Sequence, residues 1–153
     1  MQGVPDTATR CSSRRAAPCS PAGGARGNQG QLGHGDQNNQ LSPKLVAGLE
    51  GRRIVQVAAG DYHSLFLTKG GPAPSRGSGE DGALGHGDTE DQLAPKLVAG
   101  LAGRRVVQVA GGATHSLFLT KGGAVLSCGS GGSGGLGHGD PKDQPVPKLL
   151  CEF

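Results

Sequence analysis

From Arg53 the chain reads Ile-Val-Gln-Val, a β-branched run bounded by Gly51 and Gly60, which predicts a short buried strand from Arg52 or Arg53 to Val57. After the turn Ala59-Gly60-Asp61, residues His63 to Thr68 alternate Ser64, Phe66 and Thr68 with Leu65 and Leu67. That period of two, with apolar weight on both faces, predicts a second strand covered on both sides. Lys69-Gly70-Gly71 closes it with a turn. Ala124 to Cys128 predicts a further strand, and a stretch near Lys44 to Val46, after Pro43, a weaker one. Leu-Val-Ala-Gly-Leu is the only helix-like phrase, and its central glycine costs about 1 kcal/mol relative to alanine. The elements are four short antiparallel strands to a unit.

The unit repeats. Gly30 to Asp36, Gly82 to Asp88 and Gly134 to Asp140 spell one phrase, Gly-x-Leu-Gly-His-Gly-Asp, and His34, His86 and His138 lie 52 residues apart. Pro43, Pro95 and Pro147 keep the same spacing, and the 28 residues from Lys44 and from Lys96 match almost without change. Tandem four-stranded units, none able to bury both faces alone, must stack as the blades of a propeller do. The expected fold is all-β: a partial β-propeller of four-stranded antiparallel blades, about two blades plus a fraction. Its repeats span residues 27–78, 79–130 and a partial 131–153. Residues 1–26, an Arg, Pro, Gly, Ser and Ala mixture poor in large apolar side chains, are expected to be a disordered tail.

The phrase G-x-L-G-H-G-D, followed by P-x-x-V, V-x-x-V-A-x-G and H-S-L-x-L-T-x-x-G, resembles the repeat of the regulator of chromosome condensation family. The resemblance runs from Gly27 to the C-terminus. It implies that family's seven-bladed propeller, with blades of four strands around a channel, serving as a scaffold for small GTPases, chromatin or ubiquitin-ligase assemblies. It also implies, as an alternative, guanine nucleotide exchange on a small GTPase, which in the family depends on a complete propeller and an inserted wedge. Three departures stand out. Gly24, Arg76 and Cys128 occupy the place of the family's aromatic, which predicts looser blade packing. Pro72 and Pro74 fall where the strand Ala124 to Cys128 lies one repeat later, so that strand is expected to be frayed or lost. Third, the chain carries two repeats and a fraction, which suits a piece of a larger propeller or a truncated copy without independent function.

Composition sharpens this reading. With 30 Gly and 10 Pro at fixed intervals, the chain is rich in turns and not in disorder. The net charge of +3 resides in the tail, where Arg10, Arg14, Arg15 and Arg26 outweigh Asp6. A neutral body argues against a broad nucleic-acid surface and leaves at most weak phosphate contacts from the tail. Cys11, Cys19, Cys128 and Cys151 form no C-x-x-C pair and are expected to be free thiols. The absence of an apolar run near Met1, and of any stretch of about 20 apolar residues, predicts an intracellular protein with no membrane contact, cytoplasmic or nuclear.

Candidate chemistry is sparse. All histidines occupy repeat positions: His34, His86 and His138 between Gly33 and Gly35, Gly85 and Gly87, Gly137 and Gly139, with His63 and His115 opening a strand. A group that recurs with the fold, without a fixed carboxylate or thiol beside it, is expected to be structural. Gly77 to Gly82 and Gly129 to Gly134 spell G-x-G-x-x-G, but no helix follows and Glu80 with Asp81 would repel a phosphate. Asp36, Asp88 and Asp140 are read as turn caps. Arg52, Arg53, Arg104 and Arg105 are the paired cations of the repeats and the candidate contacts for an acidic partner. No catalytic residue, metal or cofactor is expected, and the reading is a protein-interaction module. Because little more than two blades cannot close a circle, apolar faces built from Leu65, Leu67, Leu117 and Leu119 predict self-association.

Overall fold

The computed structural model describes residues 45–152. The tail, the first Gly-His-Gly-Asp loop with Gly33, His34 and Gly35, and Gly24 lie outside the described residues. Eight strands follow one another: β1 Ile54–Ala59, β2 His63–Thr68, β3 Pro74–Gly77, β4 Gln92–Leu97, β5 Val106–Gly111, β6 His115–Thr120, β7 Ala124–Gly129 and β8 Gln144–Glu152. Among the described residues one 3-10 turn, Glu80–Gly82, interrupts them. Two four-stranded antiparallel meanders result, β1 to β4 and β5 to β8. Each sheet takes three strands from one copy of the repeat and its fourth from beyond the next Gly-His-Gly-Asp phrase.

Local chemistry accounts for the strands. β2 is buried along its whole length, as its two-sided apolar pattern requires. In β6, by contrast, Leu117 and Leu119 are only half-buried, because no described blade covers that side. β1 is not the buried strand its composition suggested. It hydrogen-bonds on one side only, so its residues alternate between half-buried and exposed. A register shift between Ile54 and Gln56 bends it, and the same shift recurs between Val106 and Gln108.

The prolines shorten β3 without abolishing it. Ser75, Arg76 and Gly77 pair with Leu65, Ser64 and His63, whereas β7 pairs with β6 through five residues. Pro72 has left the ladder, yet its carbonyl still accepts the Thr68 N–H and Oγ1–H at 3.0 and 2.9 Å. Pro95, Pro145 and Pro147 sit inside β4 and β8 instead of before them. These strands pair on one side only, and an edge tolerates a residue that cannot donate.

The main core lies between the sheets. Leu65 and Leu67 from the first sheet, with Val98 and Leu101 from the β4–β5 connection, meet Val109 and Phe118 from the second, while Val46, Leu49 and Phe66 form a smaller cluster on the first sheet's other face. Burying each large side chain contributes about 1.5–3 kcal/mol, so the seam holds the two sheets as one body. The aromatic's place is filled. Arg76 and Cys128 are both fully buried, and the Arg76 guanidinium lies 4.7 Å from the centroid of the Phe66 ring.

Candidate functional site

The Gly-His-Gly-Asp loops fold back on their own sheets. Gly85 and Gly87 take φ of 72° and 89°, a region open to glycine, and this turns the His86 ring inward. Its Nε2 lies 2.8 Å from Ser75 Oγ and 3.0 Å from the Lys96 carbonyl. Ser75 gives its proton to the Leu84 carbonyl at 2.7 Å, so His86 must carry its proton on Nε2 and donate it. The second loop repeats this, with Ser127 donating to Leu136 at 3.0 Å and His138 Nε2 2.9 Å from Ser127 Oγ. A serine that is wholly buried, with its proton committed to a carbonyl, is no nucleophile.

The carboxylates close turns. Asp88 accepts the Glu90 N–H at 3.2 Å and pairs with Lys96 at 3.3 Å, and Asp140 accepts the Lys142 N–H at 3.1 Å and pairs with Lys148 at 3.7 Å. Those backbone donors hold both carboxyls below the usual range. Asp91 and Asp143, which no repeat phrase singles out, accept the N–H of Gly79 and Gly131, each at 2.9 Å. They fix the G-x-G-x-x-G segments as turns.

Between the blades, His63 Nε2 lies 2.9 Å from Ser116 Oγ, which donates to the Ala83 carbonyl at 2.7 Å. Burial, reinforced by the nearby His115, pushes the His63 pKa down to about 4. Burial likewise lowers His86, and drives the Cys128 thiol up to about 12, so that it stays protonated. His115 is half-buried beside His63 and Gly112. Among the described residues no cluster of three His, Cys, Asp or Glu could hold a metal ion, and no helix is long and apolar enough to cross a membrane.

The paired arginines lie at one end of both blades. Arg52, Arg53, Arg104 and Arg105 are exposed, and none takes part in an ion pair among the described residues. Strand pairing adds two cations that the linear sequence kept apart. Lys69 donates its N–H to the Arg53 carbonyl at 2.8 Å, and Lys121 donates to Arg105 at 2.7 Å. Lys69 and Lys121 are 52 residues apart, so their shared spacing with the arginine pairs was the signal available. The strip crosses the seam, because a Cβ on Gly71 would lie 3.1 Å from the Arg105 Cα.

The repeat itself has many relatives. Residues 23–67 and 75–119 match the Regulator of chromosome condensation (RCC1) repeat, and residues 106–134 match a second description of it. The chain is 41% identical to the Arabidopsis thaliana ultraviolet-B receptor UVR8 over 81% of its own length and 28% of that protein's. It is 42% identical to the human E3 ubiquitin-protein ligase HERC2 over 82% of its own length and 3% of that protein's. In structure it resembles Prp20p of Saccharomyces cerevisiae with a TM-score of 0.73 at 25% identity, covering 83% of this chain and 33% of that one. The chain thus spans a third or less of these relatives. Two stacked four-stranded meanders, loops clasped by Ser–His pairs and the matched repeats together place it: the chain belongs to the regulator of chromosome condensation repeat family.

Proposed function

We propose that the chain is a protein-interaction module, in which the packed blades hold the loops at their ends against a protein partner. One observation carries this reading: Ser75, Ser127, His86 and His138 are committed to hydrogen bonds that hold the loops, whereas the arginines at one blade end are exposed and make no ion pair among the described residues. Rigid strands presenting polar loops suit recognition. The Prp20p structure is described with binding to Gsp1p and histones, and HERC2 is a ubiquitin ligase, which supports a partner of protein class for this repeat. A small GTPase, chromatin or a ubiquitin-ligase assembly are the family's candidates.

Site-specific photo-cross-linking from position 104, followed by titration of the purified partner, tests the reading. A saturable complex with a defined protein is expected. Accelerated nucleotide release from a small GTPase in the same mixture would instead favour guanine nucleotide exchange.

A further inference from the structure

The blades are electrically polarised. Pairing of Ile54 with Thr68 and of Pro74 with Leu97 puts the start of β1, the β2–β3 turn and the β4–β5 connection at one end, and the counterparts in β5 to β8 lie beside them. That end carries Arg52, Arg53, Lys69, Arg104, Arg105 and Lys121, all exposed. Among residues 45–151 the acidic residue at this end is Glu50; every other Asp and Glu of that span lies at the opposite end, in the β1–β2 and β3–β4 loops and their counterparts. Ion pairs with Lys96 and Lys148 absorb two of those carboxylates, but no described ion pair neutralises the basic end.

Val55 and Val107 are exposed by 53% and 43% and stand two residues beyond Arg53 and Arg105. Each valine falls in the register shift at the start of its strand, so each blade end offers an exposed apolar side chain close to its cations. Guanidinium forks suit carboxylates, and exposed valines suit apolar side chains, for which a phosphodiester backbone has no counterpart. The described aromatics offer no stacking platform at this end. Phe66 and Phe118 are buried, and Tyr62 stands at the acidic end.

We propose that the basic end, Arg52, Arg53 and Lys69 joined across the seam to Arg104, Arg105 and Lys121, docks an extended acidic peptide segment in which Asp or Glu alternates with aliphatic residues. The surface rests on the interaction-module reading and gives its partner a chemistry. The segment crosses from one blade to the next, so both blades contribute to its affinity.

Fluorescence anisotropy with a labelled 12-residue peptide of alternating Glu and Leu measures this on the full chain, with a polyglutamate peptide and a 12-base-pair duplex as comparators. The chain is expected to bind the Glu–Leu peptide more tightly than either comparator, and less tightly as salt rises. The folded variant R53E/R105E should lose affinity by about 10-fold or more, and K142E, at the acidic end, by less than about 2-fold. V55S/V107S should weaken the Glu–Leu peptide and leave polyglutamate unchanged. Tighter binding of the duplex, or equal binding by R53E/R105E with its thermal unfolding intact, overturns the proposal. If cross-linking from the opposite end captures a defined protein that R53E/R105E binds unchanged, the module reading stands and the basic end falls. If neither end takes a protein, both fall.

Discussion

His63 Nε2 lies 2.9 Å from Ser116 Oγ and ties the second strand of one blade to the second strand of the next. Ser116 passes its own proton to the Ala83 carbonyl, so His63 serves here as a neutral donor. With a folded pKa near 4 against an ordinary 6.5, the unfolded chain binds the extra proton first as the solution is acidified. Stability is therefore full above about pH 6.5 and falls between there and pH 4, by about 3 kcal/mol from this group. Urea titrations at a series of pH values should show this loss in the wild type. The difference between wild type and His63→Asn should shrink on the acid side; a difference independent of pH would contradict the assignment.

Gln56 makes a second clasp. Its amide donates to the Val109 carbonyl at 2.7 Å and accepts the Val109 N–H at 3.0 Å, standing in for a neighbouring strand. Gln56→Ala should cost about 1–3 kcal/mol in chemical denaturation. Its counterpart Gln108 is exposed, so Gln108→Ala should stay within about 0.5 kcal/mol. Equal effects would mean that the amide contributes nothing to the seam.

Gly82 and Gly134 offer a matched comparison, since both take positive φ, 77° and 70°. An added Cβ would come within 2.4 Å of the Pro145 Cα at Gly82 and would meet nothing within 4 Å at Gly134. Gly134→Ala should cost only backbone strain, about 1–2 kcal/mol. Gly82→Ala should cost more by at least about 2 kcal/mol, because a backbone of the next blade must shift. Calorimetric melting temperatures decide between them.

The half-buried outer face of β6, with Leu117 and Leu119 where Leu65 and Leu67 are covered in the first blade, leads to a fourth expectation. The 153-residue chain prepared alone should self-associate, and Leu117→Lys with Leu119→Lys should reduce this. Sedimentation velocity over a range of concentrations reads it. A wild-type monomer at high concentration would contradict it.

Much of the architecture was legible because period and spacing act locally. The His63–Thr68 alternation gives a strand buried on both sides, and the 52-residue interval gives two like sheets. What escaped depends on neighbours. The sequence cannot show that β1 is an edge strand, which leaves it less buried than its composition implies, nor that Pro74 opens β3 while the Pro72 carbonyl still accepts from Thr68, which spares that strand. Nor can it show that an arginine fits beneath Phe66 where an aromatic was expected. The arginine pairs were visible as letters, whereas Lys69 and Lys121 join them only through strand pairing.

The proposed role of the chain is recognition of a protein partner by the loops at its blade ends. Isothermal titration of the folded chain with its purified cross-linked partner tests this most directly, alongside a His86→Ala, His138→Ala variant. Saturable binding is expected, with its affinity retained by that variant under conditions where it remains folded, because the two rings bond to Ser75 and Ser127 of their own sheets. Absence of any protein complex, together with turnover of a small molecule that vanishes when the two histidines are replaced, would contradict it.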